Sequence, residues 1–173
     1  QVILPNLLRT LNIARGERAL DLACGQGFFA RELEKLGARV SGVDISSELI
    51  EIARKRSPQD MNFYVTPAHK LSFARNEAFD AVVAVHALQN IENISEVFAE
   101  VRRVLAVNGR FIMVLNHPAF RISKRSSWDW DEKNKIQYRR VDRYLSSEKS
   151  AIIMHPGEEK SEQTFSYHRS LQD

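Results

Sequence analysis

ALDLACGQGFFA, residues 19–30, runs from an apolar segment through a glycine pair into two phenylalanines and a helix-forming stretch. Gly25, Gly27 and Ala30 spell GxGxxA at the junction of a predicted strand and a predicted helix. Glycine at such a turn lets a ligand approach the backbone closely, and the unpaired amides that open a helix favour polar or negative groups. A phosphate suits the turn, and so does a ligand without one. Asp44 follows Gly25 by about 20 residues, at the end of the next predicted strand, where a carboxylate accepts both hydrogen bonds of a ribose diol. A dinucleotide site has the same pair. Asp21 separates the two readings, because it precedes the glycines, where a carboxylate repels a pyrophosphate and attracts a cation.

Outward from the turn the chain alternates between strand and helix patterns. ERALDLA (17–23) is a short apolar run stopped by glycine, and FFARELEKLG (28–37) puts Phe29, Leu33 and Leu36 on one helical face before Gly37. Upstream, Pro5 and the spacing of Leu4, Leu7, Leu8 and Leu11 predict a short opening helix. Downstream, ARVSGVD (38–44) predicts a strand, SSELIEIARKR (46–56) a serine-capped helix ending before Pro58, and MNFYV (61–65) and FDAVVAV (79–85) further strands. ISEVFAEVRRVL (94–105) reads as an amphipathic helix with Ile94, Val97, Phe98, Val101 and Leu105 inward, and GRFIMVLN (109–116) as a fifth strand. Parallel strands must be joined by crossovers that lie over the sheet, so this alternation predicts a doubly wound α/β fold.

After Asn116 the texture changes. HPAFRISKRSSWDWDEKNK is polar and irregular and reads as a lid-like connection, with Trp128 and Trp130 as a plug over the core or as stacking groups. IQYRRVDRYL (136–145), SAIIMHP (150–156) and EQTFSYHR (162–169) alternate with the period of antiparallel strands. We therefore divide the chain into a ligand-binding α/β core, 1–116, and a lid-like insertion with antiparallel strands, 117–173, in the same domain.

Composition narrows the functional classes. The 173 residues are 43% hydrophobic, enough for one domain with a core. Lys and Arg exceed Asp and Glu by only 25 to 22, and the excess is spread evenly, so no nucleic-acid partner is expected. Cys24 is the only cysteine, which excludes an internal disulfide and fits a reducing cytoplasm. No apolar run approaches the ~20 residues of a membrane span, and we expect no membrane partner. The five histidines show no metal-binding spacing, so no metal is expected.

DLACGQG (21–27) resembles motif I of the class I S-adenosylmethionine-dependent methyltransferases, in the small-molecule, type 11-like branch. The similarity continues through GVDIS (42–46), FDAVVAVHALQNI (79–91) and VFAEVRRVLAVNGRFIMV (97–114). It implies a Rossmann-like sheet of five parallel strands in order 3-2-1-4-5, followed here by the antiparallel insertion. It also implies S-adenosyl-L-methionine as cofactor and methyl transfer to a small-molecule N, O or C acceptor. Asp21 and the backbone at Ala23, Gly25 and Gly27 would hold the methionine end, Asp44 the ribose, and Ile45 the adenine face. His86, just past the fourth strand, would sit near the sulfonium.

Two positions depart from the pattern. Ala23 replaces the usual first glycine, and Pro67 stands where family members often carry an acidic residue beside Ala68. Adenine's exocyclic amine is then left to Thr66 or a backbone carbonyl, with the amides of Ala68 and His69 in reach of the ring. His117 is the candidate general base, and Asn116, Tyr138 and Arg140 are candidate substrate contacts. Cys24 reads as a small packed residue. AVHALQN (84–90) lacks the Asn/Asp-Pro-Pro-aromatic signature of amide and amino-base methyltransferases, which argues against those acceptors. Two rival readings are an NAD-binding oxidoreductase domain and a catalytically inactive cofactor-binding or interaction module.

The family ordinarily ends with a further helix and an antiparallel strand pair, and SLQD (170–173) reads as the first turn of a helix without a body. FIMVL (111–115) is apolar on both faces, which suits an inner strand. Either the later strands cover that edge, or the native protein continues beyond Asp173.

Overall fold

Five strands build the core of the chain, β1 (Arg18–Leu22), β2 (Arg39–Asp44), β3 (Asn62–Val65), β4 (Phe79–Val85) and β5 (Leu105–Val114), in a computed structural model that describes residues 2–118, 125–153 and 163–172. All pair in parallel, in the order β3-β2-β1-β4-β5 that the resemblance implies. Consecutive residues of β1 point to opposite faces, and Ala19 and Leu20 are both fully buried, so the central strand is covered on both sides.

The helices α1 (Ile3–Leu11), α2 (Phe28–Lys35), α3 (Ser47–Arg56) and α4 (Ile94–Val104) fall where the periodicity puts them. Local chemistry sets their ends. Ser46 caps α3 by accepting the Leu49 amide at 3.2 Å; Glu48 lies in the first turn and Arg54, Lys55 and Arg56 in the last, each complementing the helix dipole. One core cluster joins Leu7 and Leu11 of α1, Leu33 of α2 and Ile50 of α3 to Ala19, Val40, Phe63 and Val83 of the sheet. The Arg18 guanidinium makes a two-pronged pair with Asp80, at 2.6 and 3.0 Å, which ties β1 to β4 at their amino ends.

Several sequence expectations need correction. Phe98 is not inward: Val104 takes the buried place on α4, while Phe98 is 42% exposed and stacks edge-on with Phe111 in an apolar surface groove. Leu36 caps α2 and is exposed rather than part of its buried face. The polar stretch after Asn116 contains a strand that its composition disguises, β6 (Ser126–Asp131), paired antiparallel with β7 (Ile136–Val141). Its turn is built by Asp131, whose carboxylate accepts the amides of Lys133 and Asn134 at 2.9 and 3.1 Å. β7 ends at Val141, short of the run to Leu145 that the alternation predicts.

The last strands, β8 (Glu148–Ile153) and β9 (Gln163–His168), form a second antiparallel ribbon. Among the described residues each ribbon pairs only within itself, and β5 has one strand neighbour, β4. Among the described residues the later strands therefore add no strand to the five-stranded sheet. The chain divides into two compact units, residues 1–87 with 93–114 and residues 88–92 with 115–173.

Candidate functional site

At the carboxyl end of β1 the chain turns through three left-handed residues, Ala23 (φ 56°), Gly25 (φ 53°) and Gly27 (φ 74°). Glycine adopts that conformation freely, whereas Ala23 holds it against the clash of its Cβ. Open space surrounds the Gly25 α-carbon on the side where a side chain would be, leaving the backbone accessible there. The turn is fixed by hydrogen bonds from the Gly27 amide to the Cys24 carbonyl (2.9 Å) and from the Cys24 amide to the Val43 carbonyl (2.8 Å).

Asp21 is 2% exposed, and its Oδ2 accepts the Ala30 amide of α2 at 2.9 Å. Burial raises its pKa to about 7, with the nearby Asp44 charge adding to the rise and the Ala30 hydrogen bond opposing it. Asp44 is 9% exposed; its Oδ2 accepts the Gly25 amide at 2.8 Å and its Oδ1 the Ser46 amide at 3.0 Å. Backbone amides are the hydrogen-bond partners of both carboxylates, and among the described residues no lysine, arginine or histidine pairs with either. Each carboxylate keeps lone pairs for further donors. Two adjacent strand ends thus offer carboxylates that, among the described residues, only backbone amides hold, which fits a ligand bearing a cation and a diol and opposes a pyrophosphate.

The remaining core candidates follow the carboxyl ends of β2, β3 and β4. Ile45 follows Asp44 and is 74% exposed, an open apolar surface suited to a flat ring. The Thr66 amide donates to the Asp44 carbonyl at 2.9 Å, and the Thr66 hydroxyl donates to the Lys70 carbonyl at 2.7 Å, holding the turn that carries Pro67, buried Ala68 and half-buried His69. His86 is exposed at φ 52° just past β4, and its amide donates to the Val114 carbonyl at 2.8 Å. Asp21, Ala23, Gly25, Gly27, Asp44, Ile45, Ala68, His69 and His86 therefore all lie at or just beyond carboxyl strand ends, where open α/β sheets bind ligands.

Cys24 is buried, and burial pushes its thiol pKa up, so it packs rather than reacts. Gly42 was missed as a contributor. A Cβ there would meet the Phe63 ring at 2.6 Å and the Cys24 sulfur at 2.9 Å, so the packing beneath the turn requires its absence. A glycine inside a strand pattern was the available signal.

In the second unit, Asn116 is half-buried and His117 exposed. On the β6–β7 ribbon the Tyr138 hydroxyl donates to Asp129 at 3.1 Å, and Arg140 pairs with Asp142 at 2.9 Å. Trp128 and Trp130 are 62% and 47% exposed, and the Arg139 guanidinium lies 5.3 Å from the centre of the Trp128 ring. No group of His, Cys, Asp and Glu suited to a metal occurs among the described residues.

Comparison with known proteins agrees with the fold. A family model described as a methyltransferase domain matches residues 20–113. A demethylmenaquinone methyltransferase of Tropheryma whipplei is 34% identical over 113 residues, covering 64% of this chain and 46% of that protein. A ubiquinone biosynthesis O-methyltransferase of Xanthomonas oryzae pv. oryzae is 29% identical over 105 residues, covering 58% of this chain and 44% of its own length. The chain thus spans about half the length of these curated relatives. Among solved structures, an S-adenosylmethionine-dependent methyltransferase from Mesorhizobium loti aligns over 97% of this chain and 74% of its own, with a TM-score of 0.81 and 26% identity.

Proposed function

The chain belongs to the methyltransferase-domain family, and on that premise we propose that it binds S-adenosyl-L-methionine and transfers its methyl group to a small-molecule acceptor. The observation that carries this reading is the pair of buried carboxylates, Asp21 and Asp44, at the ends of neighbouring strands with backbone amides as their hydrogen-bond partners. Asp44 accepts the ribose hydroxyls, Asp21 receives the ammonium of the methionine end, and the left-handed turn from Ala23 to Gly27 brings bare backbone to the ligand. Ile45 covers the adenine face, with Thr66 and the Ala68 and His69 amides as its polar partners.

Bound there, the cofactor supplies a methyl already activated by the sulfonium. The protein's task is then alignment and exclusion of water, effects worth up to ~7–11 kcal/mol in intramolecular models. A base is needed only where the acceptor carries a proton that must leave, and His117 is the residue we assign to that step, with Asn116, Tyr138 and Arg140 as acceptor contacts.

One relative is named for methylating demethylmenaquinone and another for O-methylation in ubiquinone biosynthesis, which supports a quinone-type small molecule as the acceptor. Their partial coverage leaves the acceptor a matter for experiment. Incubating the protein with isotopically labelled S-adenosylmethionine and, in parallel, demethylmenaquinol and a metabolite extract should yield a labelled product heavier by one methylene. Binding of the cofactor with no labelled product from either mixture would favour an inactive cofactor-binding module.

A further inference from the structure

The segment 88–92 joins β4 to α4, yet it groups with the late strands. It opens with a single 3₁₀ turn, Leu88–Asn90, closed by the Ile91 amide donating to the Leu88 carbonyl at 3.2 Å. Its far end is weakly defined from within, because Asn93 begins α4 without a side-chain capping bond. The Ile91 and Glu92 carbonyls, between that turn and α4, are open to a side-chain donor.

Arg169 supplies one. Its Nη2 donates to the Ile91 carbonyl at 2.8 Å and the Glu92 carbonyl at 2.7 Å, and its guanidinium lies 5.6 Å from the centre of the Tyr167 ring. The Glu92 side chain is gripped from the same ribbon: the Tyr167 hydroxyl donates to it at 3.1 Å and the Lys149 ammonium lies at 3.4 Å. Lys149 and Tyr167 are register partners on β8 and β9, so the ribbon presents both together. The Lys149–Glu92 pair is exposed, 45% and 62%, and such pairs contribute little. The two carbonyl bonds from Arg169 are charge-assisted and carry most of the grip.

We propose that Arg169 is a positioning residue for the methyl-transfer site: by holding Ile91 and Glu92 it fixes the segment that continues directly from β4 and His86. The proposal rests on the methyl-transfer reading, in which His86 lies beside the cofactor. The β8–β9 ribbon then sets the shape of the strand-end loop through Arg169, with Tyr167 and Glu92 as a second, weaker contact.

Amide hydrogen exchange across residues 86–93, with and without S-adenosylhomocysteine, tests this in the unchanged protein, in Arg169→Met and in Arg169→Lys. Met keeps the aliphatic stem and removes every donor, whereas Lys restores one cationic donor. The ligand should slow exchange at 86–92 in the unchanged protein. In Arg169→Met, exchange there should run about tenfold faster without ligand, and the ligand's protection of that segment should be lost, with partial recovery in Arg169→Lys. Exchange in β1 and β2 should stay as it was. Should Arg169→Met unfold, Glu92→Gln, which spares both carbonyl bonds, should show a smaller acceleration confined to the same amides. Unchanged exchange at 88–92 in Arg169→Met, or faster exchange with the ligand's protection intact, overturns the proposal alone. Failure of the unchanged protein to bind S-adenosylhomocysteine overturns the methyl-transfer reading and the proposal with it.

Discussion

Asp44 accepts the amide of Gly25 at 2.8 Å, which fastens the glycine turn after β1 to the end of β2. The residue assigned to the ribose is therefore also a strut of the loop assigned to the methionine end. Replacing it should harm both. Asp44→Ala should weaken S-adenosylmethionine binding by about 1.5–3 kcal/mol, the range for hydrogen bonds to a charged group. Isothermal titration calorimetry measures this, and an unchanged affinity would remove Asp44 from the site.

Asp21 predicts a pH dependence. With its pKa raised to about 7 by burial and by Asp44, it holds a proton below that pH and is charged above it. An ammonium-bearing ligand needs the charged form, so affinity should fall as pH drops below about 7, approaching tenfold per pH unit. Asp21→Asn keeps an acceptor for the Ala30 amide and should bind weakly with a flat profile. The same carboxyl acts on stability in the other direction. Its folded pKa lies above the ordinary 3.8, so its contribution is full below that value and is lost as pH rises through about 7. Chemical denaturation at neutral pH should accordingly find Asp21→Asn more stable than the unchanged protein.

Ala23 holds a left-handed conformation, φ 56°, that only glycine takes without strain. Ala23→Gly relieves the clash and gives back some unfolded-state entropy, for a net gain of about 0.5–1 kcal/mol. A higher denaturation midpoint with an unchanged m-value is the expected result. A lower midpoint would show that the strain is not there.

Asp80 receives three hydrogen bonds from Arg18, two from its guanidinium and one from its amide, and they lower its pKa to about 2. Asp80→Asn should cost about 1–2 kcal/mol, discounted for a pair that is a third exposed. The stability Asp80 contributes is present above its ordinary pKa of 3.8 and is lost as pH falls through about 2. Acid titration of the variant should show a shallower loss in that window.

The α/β core was legible because its signals are local and repeated. Strand runs of uniform apolarity, Ser46 as a cap, Gly37 after a helix and the glycine turn after β1 each specify backbone geometry on their own, and together they admit few arrangements. Asp21 and Asp44 were legible because the turn between them fixes which strand ends they occupy. The late strands were harder. SSWDWD (126–131) hides β6 in polar residues, since a ribbon exposed on both faces has no buried side to imprint an alternating pattern. Phe98 was misplaced because helical spacing does not say which apolar residue borders an open groove. Arg169 carries no motif at all; its partners are backbone carbonyls some 77 residues away, and no sequence pattern encodes such a contact.

The central claim is that the turn from Ala23 to Gly27, with Asp21 before it and Asp44 after it, holds an amino-acid-bearing nucleoside and not a dinucleotide. Calorimetric titration with S-adenosylhomocysteine and, separately, with NAD tests it most directly. Micromolar binding of the first with no measurable heat from the second is the predicted result, and binding of NAD with none of S-adenosylhomocysteine would contradict it.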